Sequence, residues 1–171
     1  MSHANTMRTA LGFLSTLITR FTPIDLSRKS LEGIFNFLPI DDRILTSGQP
    51  TEAQLELVRD AGYRYVINLA PHHAENALPD EAATLKALGV AYVHIPVDFE
   101  APTEADFERF CAAMEGIGTE RVLVHCAANM RVSAFMYRYR RDVLAEDPDV
   151  ISRDLERIWK PFGVWKAFVG R

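Results

Sequence analysis

The densest chemistry in this chain of 171 residues lies in one short stretch. Val122-Leu123-Val124 is an apolar run that delivers His125 and Cys126 into a loop, Ala127-Ala128-Asn129-Met130, followed at once by Arg131 and Ser133. A cysteine at the carboxyl end of a strand, facing a helix N-terminus, sits where a thiolate is stabilised. There the helix dipole, unpaired backbone N–H groups and a nearby arginine can lower a thiol pKa from about 8.5 to roughly 3.5–7.5. The same N–H groups form a nest for an oxyanion such as phosphate, and Arg131 can add a two-pronged contact. Nucleophile and anion cradle would then be one segment.

The elements that must position this segment read as an α/β domain with a largely parallel sheet. From about Leu38 onward, short β-rich runs alternate with helical ones. Ile44 to Thr46 is a strand, and Thr51 is an N-cap candidate for a helix that Gly62 ends. Tyr63 to Leu69 is a buried strand. Pro79 stands in the first turn of a helix to about Leu88, with Gly89 as its stop, and Ala91 to Pro96 is the next strand. Thr103 and Asp106 form a capping box with Asp in place of Glu, opening a helix to about Glu115 ahead of the strand Arg121 to His125. Helices follow over Val132 to Leu144 and Val150 to Trp159, then a closing segment with Trp165 and Phe168; both tryptophans are expected in the core.

With these elements in place, Val122 to Ser133 resembles the signature loop of the cysteine-dependent protein tyrosine and dual-specificity phosphatases. Ser47-Gly48-Gln49-Pro50, Val66-Ile67-Asn68-Leu69, Gly89 with Tyr92, Ile95-Pro96-Val97 and Ile158-Trp159 narrow this to a bacterial phosphatase-like family, some of whose relatives are fused to a metallo-beta-lactamase-type hydrolase. The similarity runs over roughly residues 38–169. It implies a dual-specificity phosphatase fold: a central mostly parallel sheet of about four or five strands flanked by helices. It also implies Cys126 as nucleophile, Arg131 and the amides of Ala127, Ala128, Asn129 and Met130 as phosphate binders, and Ser133 as the hydroxyl that helps the thiolate leave. His125 would orient the loop and tune Cys126 from behind. Asp98 is the expected general acid, with Glu100 the alternative, and no metal or other cofactor is required.

One departure is visible. Four residues separate Cys126 from Arg131 where the phosphatase signature has five, although Ser133 is in register. A cysteine loop one residue shorter is also similar to that of the rhodanese-type sulfurtransferases, in which Cys126 would carry a persulfide. A noncatalytic oxyanion-binding module is the third reading. The phosphatase reading leaves phosphoprotein (phosphotyrosine included), phosphoinositide, nucleotide and small phosphate esters open as substrates.

The rest of the chain bounds these readings. With 48% hydrophobic and 25% charged residues it has the balance of one soluble globular domain, and a formal charge of -4 gives no global field to recruit nucleic acid. Two cysteines fit a reducing, cytoplasmic setting. Cys111 is expected as a buried structural thiol and Arg138 to Arg141 as an exposed helix face. His72 and His73 are substrate-lining candidates at the sheet's carboxyl edge, with no further cluster at metal-ligand spacing, and His94 is structural. Residues 1–37 form an amphipathic helix and lead-in to a domain over 38–171. In that helix Leu11, Leu14, Leu17, Ile18 and Phe21 recur at helical spacing. It should pack on the domain or on a partner subunit, which leaves a homodimer open, and stable membrane insertion is not expected because Arg20 closes the apolar run early.

Overall fold

The computed structural model describes residues 2–19 and 30–170. Among them are α1 (Ser2–Thr19), β1 (Leu38–Pro39), β2 (Ile44–Ser47), α2 (Glu52–Asp60), β3 (Tyr65–Asn68), α3 (Glu81–Ala87), β4 (Ala91–His94), α4 (Glu104–Ile117), β5 (Val122–His125), α5 (Met130–Asp142), α6 (Pro148–Ile158) and α7 (Val164–Phe168). The strands form one sheet in the order β1-β2-β5-β3-β4, parallel throughout except for the antiparallel β1 at its edge. The expected α/β architecture is therefore present, with β1 added to the four strands read from the sequence.

Side-chain alternation along the strands builds two cores, one on each face. Leu45, Leu123 and Val66 are in register and pack with Leu55, Val58 and Leu85 of α2 and α3. Ile44, Ile67, Val122 and Val124 face the larger core, which holds Phe110, Phe135, Leu155, Trp159 and Trp165. Both tryptophans are buried, as expected. Cys126 continues the Val122–Val124 row into this second core, and His125 belongs to the α2/α3 side, where α3 supplies its partner.

Helix starts were legible where capping chemistry marks them. Thr51 and Thr103 each close a capping box, with Gln54 and with Asp106. Three readings need correction. Pro79 lies outside α3, because the Asp80 side chain accepts from the Ala83 N–H and is itself the N-cap. Cys111 is half-buried, and its incomplete burial still pushes the thiol pKa up. Arg138 to Arg141 is not a solvated face. Arg138 grips Glu104 through two nitrogens, and Arg140, 4% exposed, is paired with Glu146 and Asp154. The N-terminal helix packs on the domain, as expected: α1 lies on the α6 end, where Asn5 donates to Glu156 O, Thr9 to Ile158 O, and Thr6 Oγ1 accepts from Lys160 N. Leu11 and Leu14 of its apolar stripe are exposed. Phe21 lies outside the described residues, as do the side chains of Leu17 and Ile18. No helix among the described residues is long and apolar enough to cross a membrane.

Candidate active site

Three strand ends converge on the cysteine loop at the carboxyl edge of the sheet. Leu69 N donates to His125 O at 2.9 Å, and Cys126 N reaches Ser47 O at 3.4 Å, so the nucleophile candidate leaves the sheet between β2 and β3. Cys126 is 1% exposed. Asn129 then reverses the chain in the left-handed region (φ 63°), and α5 begins at Met130. Asparagine tolerates that conformation better than most residues. Its side chain fixes the turn by donating to Asn36 O at 2.8 Å and to Thr46 Oγ1 at 3.1 Å.

The loop is also held from outside. Ala127 O accepts from Gln49 N at 3.2 Å and from Asn76 Nδ2 at 3.0 Å, and Ala128 O accepts from Asn36 Nδ2 at 3.0 Å. Gly48 is required at this crossing. A Cβ there would meet Phe35 Cδ1 at 2.9 Å, Ala127 O at 3.0 Å and Phe35 O at 3.1 Å.

Arg131 is the second residue of α5, so it lies in the helix rather than the loop. Its guanidinium stands 5.1 Å over the Phe99 ring, and its Nε is buried without a hydrogen-bond acceptor among the described residues. Ser133 Oγ donates to Met130 O at 3.0 Å and accepts from Trp159 Nε1 at 3.1 Å. Asp98 reaches the same edge of the sheet because Ile95 and Val97 donate to Asn68 O and Leu69 O, carrying the chain past the end of β3. Asp98 is exposed and its carboxylate accepts from Glu100 N at 2.8 Å; Glu100 is exposed beside it. Between them Phe99 packs on Trp159 and Trp165.

Behind the loop, His125 Nε2 lies 2.6 Å from Glu81 Oε1, both side chains being buried. Glu81 Oε2 accepts from Asn68 Nδ2 at 2.9 Å and, more weakly, from Gln49 Nε2 at 3.5 Å. Burial alone would raise the Glu81 carboxyl, but the His125 charge and these hydrogen bonds outweigh it and hold the pKa below the ordinary carboxylate value. The nearby Tyr92 phenol is pushed up to about 12, by burial first and by the Glu81 charge second.

The structure thus gathers Cys126, the loop, Arg131 and Ser133 at one helix start, with Phe99 bringing the Asp98 loop against Arg131. His72 and His73 are exposed; His72 packs on His94 with ring centroids 4.0 Å apart and lines a cleft of about 200 Å³ with Asn68, Tyr92 and Glu81. His94 Nε2 is 2.7 Å from Ala70 O, the structural role expected of it. Sequence reasoning missed Glu81, Asn36, Asn76 and Phe99. Only Glu81 left a clear signal: with Leu85 and Leu88 it continues an apolar stripe at i, i+4 and i+7, so a charge was placed on the buried face of α3.

This geometry has known counterparts. The profile of a family described as "DSP-PTPase phosphatase fused to NAD+ Kinase" matches residues 15–157. A phosphatase-like DUF442 protein of Shewanella putrefaciens CN-32 is similar at 36% identity and a TM-score of 0.73, covering 81% of this chain and 91% of that one. TpbA of P. aeruginosa, in complex with pTyr, is 17% identical with a TM-score of 0.59 over 71% of this chain and 72% of its own, a likeness of fold. The "Beta-lactamase hydrolase-like protein" of Xylella fastidiosa (strain Temecula1 / ATCC 700964) is 38% identical over 98 residues, 54% of this chain. The chain spans only 22% of the length of that relative. By the match over residues 15–157 and the likeness to the Shewanella protein, the chain belongs to the DSP-PTPase family of cysteine-dependent phosphatases.

Proposed function

We propose that the chain hydrolyses a phosphomonoester through a phosphocysteine intermediate on Cys126. The observation that carries this reading is the position of Cys126 at the end of β5. It faces the start of α5, and Arg131 in the first turn has an Nε–H without an acceptor among the described residues. The Cys126 thiolate attacks phosphorus, and the bond to the leaving oxygen breaks. Asp98 gives that oxygen its proton, then takes one from the water that attacks the thiophosphoryl group. The loop amides and Arg131 stabilise the charge on the equatorial oxygens, an effect of fixed dipoles worth several kcal/mol. Ser133 turns its hydroxyl from Met130 O to the departing thiolate, and His125, held by Glu81, fixes the strand end behind the loop.

The test is turnover of an aryl phosphate by wild type, Cys126→Ser and Asp98→Asn, beside a second arm with thiosulfate and cyanide, chelator being present throughout. Phosphate release that vanishes in Cys126→Ser and slows at least tenfold in Asp98→Asn is the expected outcome. Thiocyanate formation in place of phosphate release would move the chain to sulfur transfer, which the four-residue spacing favours. Full activity of Asp98→Asn on the acid side of the pH profile would remove Asp98 from the mechanism and leave Glu100 to be tested.

A further inference from the structure

The two faces of α1 are divided in the opposite sense to that expected of a helix seated by its apolar stripe. Asn5, Thr9 and Gly12, at i, i+4 and i+7, form the inner face. Asn5 and Thr9 donate to Glu156 O and Ile158 O, and Gly12 lets the helix close on the Phe35 ring, whose Cε2 would stand 2.6 Å from a Cβ there. Met7, Leu11 and Leu14, at the same intervals, form the outer face and are 66%, 61% and 55% exposed. In the sequence this spacing continues to Ile18 and Phe21.

The charge of this segment is opposite to that of the rest of the chain. Residues 1–31 contain Arg8, Arg20, Arg28 and Lys29 against one acid, Asp25, a formal +3 in a chain whose total is -4. The helix α1 itself has Arg8 and no acid. Arg8 is exposed and donates to Arg157 O. Arg157 and Lys160, exposed at the end of α6 that α1 covers, add two cations beside the exposed Glu156.

An apolar outer stripe on a basic segment without acids in the helix suits a helix lying in the plane of an anionic bilayer surface. We propose that the outer face of α1 docks on a membrane of anionic lipid, with Met7, Leu11 and Leu14 entering the boundary between headgroups and acyl chains. The basic residues of the segment lie against the headgroups. Residues 32–171, with fifteen basic and twenty-two acidic residues, are repelled by the same surface, which orients the domain with α1 towards it.

A second copy of the chain is the competing occupant. Three side chains of this size fall well short of the ~800 Å² per partner that a standard interface buries. Two copies meeting through this stripe would also set one +3 segment against another.

The test is sedimentation of the full chain with vesicles of phosphatidylcholine alone, or of phosphatidylcholine and phosphatidylglycerol in equal parts, at low and high salt. Light scattering gives the oligomeric state of the free protein. Leu11→Gln with Leu14→Gln cuts the stripe, keeps helix propensity and alters no inner-face residue. Arg20→Gln with Lys29→Gln lowers the charge. Urea unfolding checks that each variant is folded.

The expected result is binding to the mixed vesicles and not to phosphatidylcholine, weakened at least tenfold by high salt. The leucine pair and the charge pair should each lose about tenfold or more. Wild type that leaves both vesicles unbound, or binds both alike, overturns the proposal. Undiminished binding by the folded leucine pair overturns it too. A wild-type dimer that the leucine pair turns into a monomer, with no vesicle binding, would assign the stripe to a second copy instead. Should the leucine pair fail to fold, Met7→Gln and the lipid and salt dependence of the wild type decide. None of these readouts calls on catalysis, so the phosphatase reading stands or falls separately.

Discussion

Replacing Glu81 by glutamine removes a charge and almost no volume from the floor of the site. The Glu81 and His125 side chains are 6% and 0% exposed and lie 2.6 Å apart, so solvent screens their attraction little. Breaking a buried pair by deleting one charge costs about 3–5 kcal/mol, because the surviving partner stays buried without compensation. Glutamine keeps one carbonyl oxygen for Asn68 Nδ2, which places the expected loss at the low end, about 3 kcal/mol. The dependence on pH has a definite sign. The Glu81 carboxyl titrates below its ordinary 4.5 in the folded protein. Its ionised form therefore contributes stability that is fully present above the unfolded value and is lost as pH falls through the folded one. The gap between wild type and Glu81→Gln should be open at about pH 6 and narrow below about pH 4. Urea unfolding followed by the fluorescence of the buried Trp159 and Trp165 measures it. A spectrophotometric titration adds a second readout, since the Glu81 charge helps hold the Tyr92 phenol at about 12 and the variant should titrate lower. A gap under about 1 kcal/mol at pH 6, or one that persists undiminished in acid, would refute the account of the pair as a charged contact.

Gly48→Ala should cost about 1–3 kcal/mol and raise KM for an aryl phosphate, since two of the three atoms its Cβ would strike, Ala127 O and Phe35 O, are backbone and cannot swing aside. Wild-type KM together with an unchanged urea midpoint would show that the crossing has slack. Arg140→Ala should lower stability by about 2–3 kcal/mol in the same unfolding assay. It strips Glu146 and Asp154 of a buried partner, and their own exposures of 34% and 21% soften the loss. A loss below about 0.5 kcal/mol would mean that water replaces the guanidinium at no cost.

How far the sequence could be read follows the range of the physics involved. Capping boxes at Thr51 and Thr103 are satisfied within four residues, so their residue types alone mark the helix starts. The apolar Val122–Val124 run and the cysteine after it are equally local, and the site candidates came from that one segment. What was not legible depends on pairings across the chain. Arg138 to Arg141 reads as a solvated run until Glu104, Glu146 and Asp154 are brought to it by folding. Asn36 and Asn76 meet the loop across 92 and 51 positions, and nothing in their immediate neighbours announces a carbonyl to be held. The N-terminal helix was read to pack on the domain, and it does. Its apolar spacing does not report the hydrogen bonds from Asn5 and Thr9 to the carbonyl end of α6, which are among the described contacts of the helix, while Leu11 and Leu14 of that spacing are exposed.

The arginine that arrives one residue early gains a neighbour by doing so. A step of one helical residue turns a side chain by about 100°, and Arg131, in the first turn of α5, projects over Phe99. Phe99 is not an isolated platform. It is wedged against Trp159 and Trp165, its carbonyl accepts from Trp165 Nε1 at 2.7 Å, and Asp98 precedes it directly. A cation over an aromatic face is worth about 0.5–2 kcal/mol, enough to bias where the guanidinium rests but not enough to hold it against a doubly charged phosphate. The shortened spacing therefore ties the arginine to the wall that carries Asp98. Under the proposed mechanism, movement of Arg131 onto a bound oxyanion would change its contact with the Asp98 loop, so the proposed phosphate-binding group and the proposed general acid share one aromatic support.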